Sequence, residues 1–333
     1  MSIKTGGIPI VTRKSMAEKF VLVRNEYGLY YFFMEPHENE MADFGENFAN
    51  LTVVQRDIGL TCKQHENITN LRWLPIVDSA PNHDGVIWQS KFPSFLNSLS
   101  GLQKLEMSMF FKPESDELFT VDLQHLVGLT HLDLSNNCLQ VMPENLSRLV
   151  NLRVLNISHN NFLDIDTDFS GMQQLTDLFI EGGSIPGDVE YRSINYSICA
   201  LLNLKVLSFN MMRLMSLPHD IGKLENLTSL NIEGSGLDEL PESISNLTNL
   251  VELLAYGLGL QSLSENFGNL SKLEKLELKG NCDVLTLPQS FLQLTQLTYL
   301  GLPGKESLVK PVGYESFLCN LTLNGCKYEE SDC

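Results

Sequence analysis

The chain has 333 residues, and 41 Asp and Glu against 23 Lys and Arg leave a formal charge of −18. That balance speaks against a general nucleic-acid or anionic-membrane surface, because such partners need Lys and Arg patches to neutralise phosphates; basic or mixed protein surfaces suit it better. No run of 18 apolar residues occurs, and the first 25 residues carry Lys4, Arg13, Lys14 and Lys19 without a continuous apolar stretch, so the expectation is a cytoplasmic chain, neither secreted nor inserted in a membrane.

Residues 1–43 show no repeat. Phe20-Val21-Leu22-Val23 and Leu29-Tyr30-Tyr31-Phe32-Phe33, separated by Arg24 to Gly28, predict a β-hairpin that caps the N-terminal end of the array. The functional alternative is a separate recognition module. Glu35, Glu38, Glu40, Asp43 and Glu46 then follow without a Lys or Arg and fit a solvated loop.

Residues 44–101 carry worn leading repeats. Phe44-Gly-Glu-Asn-Phe48-Ala-Asn-Leu51-Thr-Val-Val54 parallels Leu263-Ser-Glu-Asn-Phe267-Gly-Asn-Leu270-Ser-Lys-Leu273, and Leu71, Leu74 and Ile76 supply one strand. Residues 79–91 are an inserted loop with the turn chemistry Ala80-Pro81-Asn82-His83-Asp84-Gly85, before Phe92-Pro93 resumes the pattern through Leu96, Leu99 and Leu102. His83 and Asp84 do not make a catalytic dyad, since neighbours in a turn point different ways and no nucleophile accompanies them.

From residue 102 to 326 one phrase, L-x-x-L-x-L, recurs. It starts at 102, 129, 152, 175, 204, 227, 250, 273 and 297, with spacings of 27, 23, 23, 29, 23, 23, 23 and 24. Leu318, Leu321 and Leu323 extend it to a tenth repeat, and Lys327 to Cys333 read as a polar tail. The long spacing after 175 maps to Gly187 through Arg192, a projecting loop. A period between 20 and 29 with this phrase resembles leucine-rich repeats. Leu240-Pro241-Glu242-Ser243-Ile244-Ser245-Asn246-Leu247-Thr248-Asn249-Leu250 fits LP-x-x-I-x-x-L-x-x-L at every defined position, which resembles the Ras-group type. The resemblance implies an α/β solenoid, a curved horseshoe with a parallel β-sheet on its concave face and short helical or irregular segments on its convex face. One repeat cannot bury its own leucines, so stability belongs to the stack and length sets no domain count.

Side chains alternate along a strand, so positions 3, 5 and 7 of the phrase face away from the leucine core. The concave candidates for partner binding are Asp133, Asn156, Asp177, Phe179, Glu181, Asn231, Glu233, Glu252, Leu254, Tyr256, Lys275, Glu277 and Tyr299. Ser135, Ser158 and Ser208 share that face. Aromatic anchors in a charged surround suit a protein-binding surface. Position 9, where an Asn amide can satisfy the turn backbone, is Asn137, Asn160 and Asn281, but Gly183, Met212, Ser235, Leu258 and Lys305 elsewhere.

No catalytic, cofactor or metal motif is complete. Gly301-Leu-Pro-Gly304-Lys305-Glu306-Ser307 lacks the earlier P-loop glycine and puts Glu where Ser or Thr should bind magnesium; H-E-x-x-H, paired C-x-x-C and G-x-S-x-G are absent. The seven cysteines, at 62, 138, 199, 282, 319, 326 and 333, are odd in number and outside zinc spacing, so reduced thiols are expected. The expectation is a non-catalytic scaffold or adaptor without cofactor. The resemblance implies intracellular signalling, with a protein partner such as a small GTPase or signalling protein. Cys282-Asp283-Val284-Leu285-Thr286-Leu287-Pro288 resembles the repeat half of immune receptors. Nine N-x-[ST] sequons, at Asn50, Asn67, Asn145, Asn156, Asn195, Asn226, Asn246, Asn269 and Asn320, keep open the alternative of an extracellular or immune-type recognition receptor with N-glycosylated repeats. An enzyme subunit that relies on a partner's active site is a third.

Overall fold

The computed structural model describes residues 20–25, 28–33, 50–53, 70–73, 76–77, 86–87, 96, 99–108, 121–143, 145–162, 164–182, 192–281 and 285–331. The expected loops at 35–46 and 79–85, the His83/Asp84 pair, the insertion from Gly187 to Tyr191 and Cys282 to Val284 lie outside these. The leading strands are β1 (Phe20–Asn25), β2 (Gly28–Phe33), β3 (Asn50–Val53), β4 (Asn70–Trp73), β5 (Ile76–Val77) and β6 (Val86–Ile87). The regular array follows with β7 (Lys104–Glu106), β8 (His131–Asp133), β9 (Val154–Asn156), β10 (Asp177–Phe179), β11 (Val206–Ser208) and β12 (Ser229–Asn231). It ends with β13 (Glu252–Leu254), β14 (Lys275–Glu277), β15 (Leu285–Thr286), β16 (Tyr299–Pro303), β17 (Leu308–Val309), α1 (Tyr314–Leu323) and β18 (Lys327–Ser331).

Among the described residues, fourteen of these strands form one sheet, parallel from β3 to β18, with β1 and β2 antiparallel at its N-terminal end. The fourth position of the phrase fixes the register. Leu132, Leu155, Leu178, Leu207, Leu230, Leu253, Leu276 and Leu300 pair one with the next, and each is at most 1% exposed. Burying one such side chain contributes about 2 kcal/mol, and it contributes only when neighbouring strands cover it. The chain returns on the other side through 3₁₀ turns at Leu146–Arg148, Tyr196–Ala200, Ile221–Lys223, Glu242–Asn246, Phe267–Asn269 and Gln289–Gln293. These turns stack closely: a Cβ at Gly268 would lie 2.1 Å from the Ser290 carbonyl oxygen.

In six of the phrases the eighth position turns the chain out of the strand in a left-handed conformation. Gly234, Gly257 and Gly280 take it at φ of 58°, 64° and 73°, whereas Asn136, His159 and Met211 hold it with side chains at 54°, 56° and 61°. One position later, Asn137, Asn160 and Asn281 are buried, and their amides donate to the carbonyls of Leu134, Ile157 and Leu278 in their own turns and to Met107, Leu134 and Ala255 one repeat back. Where Ser235 replaces Asn, its hydroxyl donates to the Ile232 carbonyl at 2.6 Å, so part of the function survives.

Three expectations are corrected. Leu71 stands opposite Leu105, in the fourth position and not the first, so β4 precedes the strand expected from Leu71, Leu74 and Ile76; Ile76 belongs to β5, antiparallel to β6. Leu318, Leu321 and Leu323 belong to helix α1 and not to a tenth strand: Tyr314, Phe317 and Leu321 form its buried stripe while Leu323 is 78% exposed. Phe317 packs edge-on against Phe291, which stacks on Phe267, so α1 covers the end of the aromatic row. The strand of that last turn is Lys327–Ser331, expected as a polar tail, which pairs along all five residues of β16.

Candidate protein-binding face

Strand register brings the candidate side chains into rows. In the third position of the phrase His131, Val154, Asp177, Val206, Ser229, Glu252, Lys275 and Tyr299 stand side by side; in the fifth, Asp133, Asn156, Phe179, Ser208, Asn231, Leu254, Glu277 and Gly301 do so. Strand spacing of about 4.8 Å sets the step along each row. Tyr256 and Lys275 are exposed, whereas Asp133, Asn156, Asp177, Phe179, Glu181, Asn231, Glu233, Glu252, Leu254 and Tyr299 are half-buried. Ser135, Ser158 and Ser208, expected on the open surface, are buried. Short hydroxyls are used up inside the face: Ser208 Oγ donates to Glu181 Oε1 at 2.6 Å, and Ser158 Oγ accepts from the Glu181 amide at 3.1 Å.

The C-terminal end of the face is neutralised from within. Glu277, expected to meet a partner, is 8% exposed and engaged: the Tyr299 hydroxyl donates to it at 2.7 Å, the Lys279 amide donates at 3.0 Å, and the Lys279 ammonium lies 3.4 Å away. Gly301 makes room for this carboxylate, since a Cβ there would lie 2.3 Å from Glu277 Oε1. Lys279 and Lys327 both reach Glu329 on β18, at 2.7 and 2.5 Å, and each ammonium lies within 6 Å of the Tyr299 ring centre. Hydrogen bonds from Lys279, Lys327 and Tyr299 hold the Glu329 carboxyl down at about 2, and burial together with Glu277 pushes the Tyr299 phenol up to about 12. Tyr299 and Lys279, both engaged by Glu277, therefore tie Glu329 of β18 to the array.

The middle of the face differs. Glu252 has Lys275 at 2.8 Å and the Ser229 hydroxyl at 2.9 Å; burial pulls its carboxyl up, but these two hydrogen bonds outweigh it and leave it below the usual range. Among the described residues, no Lys or Arg lies within ion-pair distance of Asp133, Asp177, Glu181 or Glu233. Asp133 accepts from the Ser135 amide, Asp177 from the Thr176 hydroxyl and Glu181 from Ser208. The Glu233 carboxylate has no donor among the described residues; burial, and then the like charges of Glu277, Glu252 and Glu181, raise its proton affinity against the opposing pull of Lys275. Phe179 on one side and Leu254 with Tyr256, 49% exposed, on the other bracket this region.

Two features had no visible signal in the repeat phrase. Arg192, at the end of the expected insertion, is 1% exposed; its Nη1 donates to the Met212 carbonyl at 3.4 Å while Nε and Nη2 have no partner among the described residues, and burial, with Arg213 beside it, lowers its pKa. The asparagines just before the phrase form a second ladder: Asn151, Asn203, Asn226 and Asn249 donate to the carbonyls of Val127, Gln173, Leu202 and Glu225. Of the sequons, Asn156, Asn195 and Asn226 thus have engaged amides, and Asn246, Asn269 and Asn320 are exposed. Cys199, Cys319 and Cys326 are free thiols. No helix among the described residues is long and apolar enough to cross a membrane.

Comparison with known proteins agrees with this architecture. A leucine-rich repeat region model matches residues 188–277, and a leucine rich repeat model matches 123–162. Adenylate cyclase of Schizosaccharomyces pombe is 27% identical over 178 residues, a match covering 50% of this chain and 10% of that protein. Among solved structures, a leucine-rich-repeat protein of Leptospira interrogans superposes with a TM-score of 0.57 at 21% identity, over 79% of this chain and 72% of that one. The ectodomain of the plant membrane receptor kinase GASSHO1 from Arabidopsis thaliana, solved in complex with CASPARIAN STRIP INTEGRITY FACTOR 2, does so with a TM-score of 0.58 at 20% identity, over 80% of this chain and 30% of that one. At these identities the structures speak for the fold alone. The repeated phrase, the leucine column of the parallel sheet and two family models agree: the chain is a leucine-rich repeat protein.

Proposed function

We propose that this chain is a non-catalytic scaffold that holds a protein partner against its concave sheet between β8 and β13. The observation that carries the reading is the composition of that face. Phe179, Leu254 and the exposed Tyr256, with the half-buried Val154 and Val206 beside them, stand among carboxylates on the open side of the sheet, opposite the buried leucine column. Aromatic side chains in a polar surround are what partner surfaces use as anchors. The likeness of Leu240–Leu250 to the Ras-group phrase supports a cytoplasmic signalling role, with a small GTPase or another signalling protein as the class of partner. Substituting Phe179→Ala with Tyr256→Ala tests this directly. Capture of partners from native cells should be lost while thermal unfolding stays near that of the parent; retained capture would refute the assignment.

The exposed sequons Asn246, Asn269 and Asn320 support a second reading, a recognition receptor in the secretory pathway. N-linked glycan on native protein at those positions would decide for it.

A further inference from the structure

The charge on the binding face is compensated at one end and not in the middle. Glu252, Glu277 and Glu329 each have a lysine of this chain within ion-pair distance. Among the described residues Asp177, Glu181 and Glu233 have none, and positions 3, 5 and 7 across β10 to β12 hold no basic residue. Glu233 is half-buried beside like charges and without a donor among the described residues, an arrangement that costs free energy until a cation arrives. The flanks are apolar, with Phe179 on β10 and Leu254 and Tyr256 at β13.

Accepting the scaffold reading above, we infer that the partner lays an extended segment of the pattern apolar-x-Lys/Arg-x-apolar across strands β10 to β13, its basic side chain seated between Glu181 and Glu233. The dimensions agree. Three strand spacings separate β10 from β13, about 14 Å, and residues i and i+4 of an extended chain lie about 13–14 Å apart on one face. The flanking apolar side chains then meet Phe179 and the Leu254–Tyr256 pair, while the central cation supplies the charge that this chain withholds from Glu233 and Glu181.

The experiment is selection of a random twelve-residue displayed peptide library on the full chain, followed by binding of the winners to two double variants. Glu181→Gln with Glu233→Gln changes the face; Glu239→Gln with Glu265→Gln, both exposed off the sheet, removes the same net charge. The winners should carry the apolar-x-Lys/Arg-x-apolar pattern and bind the face variant about thirtyfold more weakly or worse, the cost of removing one side of a desolvated charge pair. The control should bind within about twofold, well inside the scatter expected for a rim charge. The face variant should melt no earlier than the parent, because burial and like charges already disfavour the Glu233 carboxylate. Winners without basic enrichment, equal loss in the control, or no winners at all would overturn the inference. Winners lacking basic residues yet lost with Phe179→Ala and Tyr256→Ala would leave the scaffold reading standing and remove only this one; winners indifferent to every face substitution would remove both.

Discussion

Asn160 carries more of the array than its single side chain suggests. It is 2% exposed, its amide donates to the carbonyls of Leu134 and Ile157 at 2.9 Å and of Ser158 at 3.3 Å, and its oxygen accepts from the Leu139 amide at 3.2 Å. In Asn160→Ala the Leu134 carbonyl keeps Asn137 and the Ser158 carbonyl keeps the Asn136 amide. The Ile157 carbonyl and the Leu139 amide lose their partner in a site closed to water. Two orphaned backbone groups at about 1–3 kcal/mol each, reduced by local relaxation, give a loss of about 3 kcal/mol. Ser235→Ala is the matched comparison at the same repeat position. Ser235 is also fully buried, but the Ile232 carbonyl that it binds still accepts from the Ser235 amide at 3.2 Å, so nothing is orphaned and the loss should be about 1 kcal/mol or less. Urea unfolding followed by far-ultraviolet circular dichroism measures both. A difference between the two variants below about 0.5 kcal/mol, within the error of such extrapolations, would refute the reasoning.

Two further predictions concern the ends and turns of the stack. Glu329 is held near 2 by Lys279, Lys327 and Tyr299, below the usual 4.5, so its contribution is present above pH 4.5 and is lost as pH falls through that value toward 2. Amide exchange of Lys327–Ser331 should accelerate over this window before that of β10 to β13, and Glu329→Gln should show the same acceleration at neutral pH. Met211 holds a left-handed conformation at φ 61°, where the following repeats use Gly234, Gly257 and Gly280, with its side chain 64% exposed. Met211→Gly should therefore raise stability by up to about 1 kcal/mol, the relieved backbone strain less the entropy of glycine; thermal unfolding reads it.

The leucine phrase made the sheet legible because its fourth position is the register column itself. It misplaced the leading repeats because Phe48 and Ile68 stand where a leucine was sought: Phe48-Ala-Asn-Leu51-Thr-Val53 and Ile68-Thr-Asn-Leu71-Arg-Trp73 carry the same pattern and end on β3 and β4. At the other end, Leu318, Leu321 and Leu323 satisfy the phrase, but Tyr314, Phe317 and Leu321 satisfy a helical stripe that caps the aromatic row, and packing decides for the helix. Alternation along strands identified the face, including Phe179, Glu181, Glu233 and Tyr256. It could not separate side chains open to a partner from those already engaged, since Glu277 is tied by Tyr299 one strand away and by Lys279, whose second partner is Glu329, 50 residues on. Pairings at that separation follow from register, which was misread for Lys327–Ser331.

The most direct test of the central claim is site-specific photo-crosslinking in the native cell, with a benzophenone side chain at Asn231, on the face, or at Glu265, exposed away from it. The account predicts a discrete protein adduct from position 231 and none from position 265. A discrete adduct from position 265 with none from 231 would contradict it.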